Sequence, residues 1–183
     1  METFTEPRDF EYNPHFDEQR MQSLDSLDLS AIDAPVVDIV VDFVKLPYCF
    51  TLQICNGHFL YAGQTDRHNL DPLPPNREIQ EVEYRIAYIV LCVEDTSQGR
   101  KLFKDLGRIP SIDREYIQFG SADWFWERQV NSYALQVEPK RFMFQDSAIV
   151  DYQEAQHIDI VRNDFFRELR KLLLERLGRK VSC

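Results

Sequence analysis

The side chains best suited to chemistry lie at one short turn, where Cys55 and His58 flank Asn56-Gly57. An Asn-Gly pair between two alternating segments predicts a two-residue β-hairpin, because a type I′ turn needs positive φ at both central residues. Residues on either side of such a turn face each other, with Cβ atoms roughly 4.5 to 5.5 Å apart. The pattern therefore predicts that a thiol and an imidazole touch at a hairpin tip.

Several kinds of site fit this pair. A thiol beside an imidazole is a candidate nucleophile, and both groups are zinc ligands. Two further residues in the following loop extend the pair to a four-ligand metal candidate, which consists of Cys55, His58, Asp66 and His68. A small-ligand or anion site is a third interpretation. The structural alternative is an ordinary turn, in which Cys55 is a small apolar side chain and His58 lies at the surface.

A second unusual feature is the run of three aromatic side chains at Trp124-Phe125-Trp126. Three consecutive rings cannot all face one core, so at least one is expected at a surface, a cleft or a partner. Trp and Arg are favoured at interface hot spots, and aromatic rings stack on nucleic-acid bases. Trp124, Trp126 and Arg128 are therefore further ligand-binding candidates, and packing at the edge of the core is the alternative.

The charge is strongly negative and unevenly distributed. The 183 residues carry 31 acidic and 21 basic side chains, a net charge of −10, and eleven of the acids lie in residues 1–42. Such a field disfavours double-stranded nucleic acid, whose phosphates need neutralising. We expect an acidic, partly irregular arm over 1–30 and one domain over 31–183. The arm and the aromatic run together predict, as a separate hypothesis, a protein-interaction module with a protein partner or a second copy of the chain.

Common enzyme signatures are missing from the sequence. The six glycines are never clustered, so there is neither a P-loop nor a dinucleotide-binding fingerprint, and HExxH is also absent. Whether the protein is an enzyme is left open. The four cysteines form no CxxC pair, the first twenty residues lack an apolar signal region, and the longest apolar run, 86–93, is too short to span a bilayer. We expect a soluble cytoplasmic protein that is not inserted in a membrane.

Hydrophobic periodicity predicts an α+β fold. A period near 3.6 and capping patterns predict three main helices, which span residues 35–46, 97–106 and the long C-terminal segment 152–177. Strict alternation predicts the hairpin over 49–63, with Ile54 opposite Phe59 and Cys55 opposite His58. Further strands are predicted over 84–93 and 130–137, and a long loop over 64–81. The fold class is thus a single α+β domain, with the hairpin joined to a mixed, mostly antiparallel sheet.

The segment 51–58 resembles the Cys-x-Gly-Arg turn of the wybutosine-synthesising protein family, whose members carry a tRNA methyltransferase step. Cys55 and Gly57 match this turn, while His58 stands where the family has Arg. The order of elements over 47–177 is also similar and ends in a long helix that contains Arg162 and Asn163. The resemblance implies a related fold and a ligand site at Cys55 to His58 for S-adenosylmethionine.

Overall fold

The computed structural model describes residues 4–64, 66, 68–75 and 78–178. Within these ranges the α-helices are α1 (Phe16–Asp25), α2 (Val37–Val44), α3 (Ser97–Leu106), α4 (Asp123–Arg128) and α5 (Tyr152–Arg176). The strands are β1 (Phe4–Thr5), β2 (Cys49–Cys55), β3 (His58–Tyr61), β4 (Glu81–Arg85), β5 (Ala87–Val93), β6 (Ile117–Ala122), β7 (Ser132–Val137) and β8 (Ser147–Asp151). Short 3₁₀ turns connect several of these elements.

The strands form two antiparallel sheets. The larger sheet has the order β1-β6-β7-β5-β2, and the smaller has the order β3-β4-β8. All pairs of neighbouring strands in both sheets are antiparallel. These sheets, together with the long C-terminal helix, confirm the predicted α+β class.

The main core lies on one face of the larger sheet. Successive side chains of a strand point to opposite faces, and on β5 the residues Ile89, Leu91 and Val93 belong to the main buried cluster. Helices α2, α3 and α5 cover this face. Val90 and Cys92 point to the other face, where they join two smaller apolar clusters. The second face is thus only partly covered.

The three main helices agree closely with their predicted limits. The Thr96 side chain caps α3 by accepting a hydrogen bond from the Gly99 amide at 3.1 Å. The Asp151 carboxylate caps α5 in the same way, through the Glu154 amide at 2.8 Å. Each cap satisfies an amide that the first turn of a helix leaves without a partner. These helix starts are therefore set by local side chains.

The predicted pairing across Asn56-Gly57 is wrong. β2 pairs with β5, so Cys55 lies opposite Tyr88, and β3 pairs with β4, so His58 lies opposite Arg85. Of the two central residues of the turn, only Gly57 has a positive φ, of 81°, whereas a type I′ turn needs positive φ at Asn56 as well. The chain therefore leaves one sheet at Cys55 and enters the other at His58.

The single strand predicted over 84–93 is also two strands. Ile86 alone separates β4 from β5, and the two strands lie in different sheets. The buried Tyr84 hydroxyl accepts a hydrogen bond from the Ala87 amide and donates one to the Val137 carbonyl, both at 2.9 Å. A continuous apolar run cannot reveal such a break, because both halves of the run are buried. β8, which completes the smaller sheet, was not predicted.

Two elements of the acidic N-terminal segment pack against the larger sheet. β1 pairs with β6 at the sheet edge, and α1 lies against β2. The Glu11 backbone exchanges two hydrogen bonds of 2.8 Å with the buried side-chain amide of Asn131. The division of the chain at residue 30 stays a prediction.

Helix length and hydropathy bear on the membrane prediction. Across the part of the chain that the structure describes, no helix combines the length and the apolar character needed to cross a bilayer.

Candidate functional site

The turn between β2 and β3 is held by its neighbours. A Cβ atom on Gly57 would lie 2.9 Å from the Cβ of Ala87, so only glycine permits this close approach to β5. On the other side, the buried Arg162 guanidinium of α5 donates a hydrogen bond to the Gly57 carbonyl at 3.0 Å. The turn is thus clamped between a strand and a helix.

Three potential ligand or proton-transfer groups meet at this turn. The donor atoms of Asp33, Cys55 and His58 all lie within 4.8 Å of one another. Asp33 comes from the segment just before α2, and its Oδ2 accepts a hydrogen bond from the Asn56 amide at 2.8 Å. The Gly57 amide donates to the Cys55 sulfur at 3.4 Å. Backbone amides of the turn therefore hold both the carboxylate and the thiol in place.

His58 is 5% exposed and lies between two different partners. Its Nδ1 is 3.2 Å from the Asn69 carbonyl, and its Nε2 is 3.4 Å from Asp33 Oδ2. A carbonyl only accepts hydrogen bonds, so Nδ1 carries a proton and Nε2 faces the carboxylate. Asp33 first, and Cys55 second, raise the pKa of His58 to about 10. The contact with His58 lowers the pKa of Asp33 despite the opposing effect of burial.

The other two residues of the predicted metal set are placed less centrally. The His68 ring lies edge-on to the His58 ring, with 6.0 Å between the ring centroids. Asp66 is exposed and accepts a hydrogen bond from the His68 amide at 2.9 Å. Of the described residues, only Asp33 joins Cys55 and His58 in a group with metal-ligand spacing. His68 is thus adjacent to the group, and Asp66 lies outside it.

These groups open into a cleft of about 1160 Å³ over the second face of the larger sheet. Leu52, Tyr88, Val90 and Ala134 contribute to its apolar lining. Asp33, Cys55, His58 and His68 line the cleft, and so does Trp124. The volume is somewhat larger than the usual range for small-molecule sites, roughly 300 to 1,000 Å³. The structure therefore brings the turn, the following loop and part of the aromatic run to one concave surface.

The aromatic run splits between cleft and core. Trp124 is 52% exposed, and the Arg128 guanidinium stacks on its ring, 3.5 Å from the centroid. Trp126 is 5% exposed and donates a hydrogen bond from Nε1 to Glu11 at 3.3 Å. One ring therefore faces the cleft while another packs inside. Arg128 is not among the described residues that line the cleft. It is connected to the cleft through its contact with the Trp124 ring.

Asp33 is the site residue that sequence reasoning missed. Asp33 precedes Ala34-Pro35, a pattern that predicts the start of a helix. In the chain it lies 22 positions before Cys55. A contact over that distance leaves no local pattern. The sequence places Arg162 on the C-terminal helix, but its role as a clamp on the turn likewise depends on the tertiary fold.

Comparison with known proteins gives little further guidance. No protein-family model matches the sequence, and no curated protein matches it. A solved structure described as "Structure of PH1069 protein from Pyrococcus horikoshii" aligns over 91% of this chain and 97% of that chain, with a TM-score of 0.47 and 11% identity. A likeness at this level carries no argument about function. The resemblance to the wybutosine-synthesising family stays a prediction.

Proposed function

We propose that the protein binds a small organic ligand in the cleft over the larger sheet. The observation that carries this proposal is convergence: the Asp33–Cys55–His58 group and the exposed Trp124 ring line the same concave surface. Sites of this kind combine an apolar lining with a few placed polar groups. In this arrangement Trp124 stacks on a planar part of the ligand, and the group at the turn meets a polar part.

The charges of the side chains that line the cleft restrict the class of ligand that the cleft can bind. Of the described residues that line the cleft, Arg85 and His58, with its raised pKa, are positively charged, whereas five are acidic, Asp28, Asp33, Asp123, Glu127 and Asp146. Carboxylates in a partly enclosed space repel multiply charged anions. The ligand is accordingly neutral or positively charged, with a planar group for Trp124. S-adenosylmethionine, which the family resemblance implies, has a planar base and a cationic sulfonium and therefore suits the test.

The proposal is tested with calorimetric titration and thermal shift, using S-adenosylmethionine, adenosine and ATP as probes. We expect S-adenosylmethionine or adenosine to bind and raise the melting temperature, and ATP to bind more weakly because of its phosphates. Trp124→Ala removes the stacking surface. Since stacking on an aromatic ring is worth roughly 1 to 3 kcal/mol, this change weakens binding by about 5- to 150-fold.

Tyr12→Ala is the matched control, because Tyr12 is an aromatic residue that is 88% exposed and is not among the residues that line the cleft. It is expected to leave affinity unchanged. The proposal is overturned if none of the probes binds, or if Trp124→Ala binds them as tightly as the unmodified protein.

A further inference from the structure

The ring nitrogen Nε2 of His58 and the carboxylate of Asp33 face each other closely, so a proton or a metal ion must lie between these two groups. The Asn69 carbonyl keeps a proton on Nδ1 of His58, so without a proton on Nε2 the lone pair of that nitrogen and the Asp33 carboxylate would face each other as two acceptors. Either a proton on Nε2 or a metal ion satisfies both. The distance between the two atoms helps to decide which.

His58 Nε2 and Asp33 Oδ2 are 3.4 Å apart. A charged hydrogen bond between such groups is usually about 2.7 to 2.9 Å long. Two donors that each lie about 2.0 Å from a tetrahedral zinc ion are roughly 3.3 Å apart. The observed separation is therefore long for a hydrogen bond and close to one edge of a zinc tetrahedron.

We propose that Asp33, Cys55 and His58 bind one zinc ion, with the fourth coordination position open to the cleft. A thiolate, an imidazole and a carboxylate make a mixed set that suits zinc, because the thiolate selects against magnesium and calcium. On binding, the Cys55 thiol and the Nε2 of protonated His58 each release a proton to solvent, while Nδ1 keeps its proton for the Asn69 carbonyl. The open position accepts water or a polar group of a bound molecule.

Each ligand atom already has the outer partner that metal sites require. The Asn69 carbonyl orients His58, the Asn56 amide holds Asp33, and the Gly57 amide donates to the Cys55 sulfur. Outer hydrogen bonds of this kind fix the tautomer and direction of ligands in known metal centres. This inference does not depend on the organic ligand proposed above, because metal content is measured without it.

The test is elemental analysis of protein purified from zinc-supplemented cells without chelators. We expect about one zinc ion per chain. Cys55→Ser and His58→Gln are expected to lower that content by at least about tenfold. The matched control is His157→Gln, since His157 contacts Asp113 at 3.1 Å in an exposed His–Asp pair that does not belong to the described metal-ligand group. Its zinc content is expected to equal that of the unmodified protein.

A second measurement does not rely on the stability of any variant. Cobalt added to metal-stripped protein is expected to give the intense visible bands of a tetrahedral site and a sulfur-to-cobalt charge-transfer band. The proposal is overturned if the purified protein lacks zinc and the metal-stripped protein gives no such spectrum when cobalt is added. It is equally overturned if folded Cys55→Ser retains the full zinc content.

Discussion

Glu138 is a fully buried carboxyl group just beyond β7. The Gln136 side chain donates a hydrogen bond to its Oε2 at 3.3 Å, and Oε1 has no hydrogen-bond partner among the described residues. Burial, aided by the negative charge of Asp146, raises the pKa of Glu138 to about 9. The group is therefore neutral in the folded protein at pH 7, because ionisation would place an uncompensated charge in the interior.

This burial predicts a stability that falls as the pH rises. The unfolded chain ionises Glu138 near its ordinary pKa of 4.5, so its contribution is fully present below that pH and is lost as pH rises toward 9. Between pH 5 and 8 the free energy of unfolding is expected to fall by roughly 2 to 4 kcal/mol from this group. Urea unfolding of the protein and of Glu138→Gln at both pH values measures the effect.

Glu138→Gln keeps an acceptor for Gln136 but cannot ionise. It is therefore expected to lose less stability over this pH range and to exceed the unmodified protein at pH 8. The difference between the two proteins isolates Glu138 from His58, whose raised pKa also favours the folded state at lower pH. Parallel pH profiles for the two proteins would contradict this assignment.

At the scale of elements, the turn between β2 and β3 connects the two sheets and also positions the site residues Cys55 and His58. Gly57 has φ of 81° and would place a Cβ against Ala87, whereas Gly63 has φ of 90° and open space around its Cβ position. We expect Gly57→Ala to lower the free energy of unfolding by roughly 2 to 4 kcal/mol, because positive φ and a steric clash act together. Chemical denaturation measures the change.

Gly63→Ala is the matched control for backbone conformation. It carries the strain of positive φ alone and is expected to cost about 1 kcal/mol. Equal effects of the two substitutions would show that the contact between the turn and β5 contributes nothing to stability.

The elements that the sequence predicts well are those set by nearby residues. The Thr96 and Asp151 caps and the 3.6-residue periodicity define α3 and α5 almost to the residue. Strand pairing depends instead on partners distant in the chain. The Asn56-Gly57 pattern therefore predicts a hairpin, whereas β2 pairs with β5, a strand more than thirty residues further along the chain.

The candidate site also combines residues that the sequence predicts to be neighbours with residues that only the tertiary fold brings to them. Cys55 and His58 were predicted to be neighbours and they are, but through a clamped crossover between sheets instead of a hairpin. Asp33 and the Asn69 carbonyl complete their surroundings, and both arrive from separate segments. Only the tertiary fold brings these parts together.

At the scale of the whole molecule, the acidic N-terminal segment is part of the packed structure. Phe4 is buried against Val90 and Ala134 and also lines the cleft. Arg8 forms an ion pair with Asp123 at the start of α4. The same segment thus completes one edge of the larger sheet and one wall of the cleft.

Removing residues 1–12 is therefore expected to destabilise the protein. It exposes the apolar surface under Phe4 and leaves the buried Asn131 amide without its Glu11 partners. A loss of roughly 3 kcal/mol corresponds to a melting temperature lower by roughly 5 to 10 °C for a chain of this size. Scanning calorimetry measures the shift.

Removal of residues 1–3 alone keeps Phe4, Arg8 and Glu11 and serves as the control. If the longer deletion melts at the same temperature as this control, the segment acts as a separable arm. That result would favour the interaction-module hypothesis, which stays a prediction.

The one-residue connection at Ile86 limits how the cleft adjusts to an occupant. Because the Tyr84 hydroxyl binds both Ala87 and Val137, β4 cannot swing away from the larger sheet without breaking two buried hydrogen bonds. The corner that holds Cys55 and His58 is consequently rigid before anything enters it. An incoming molecule then spends little binding free energy on ordering that corner.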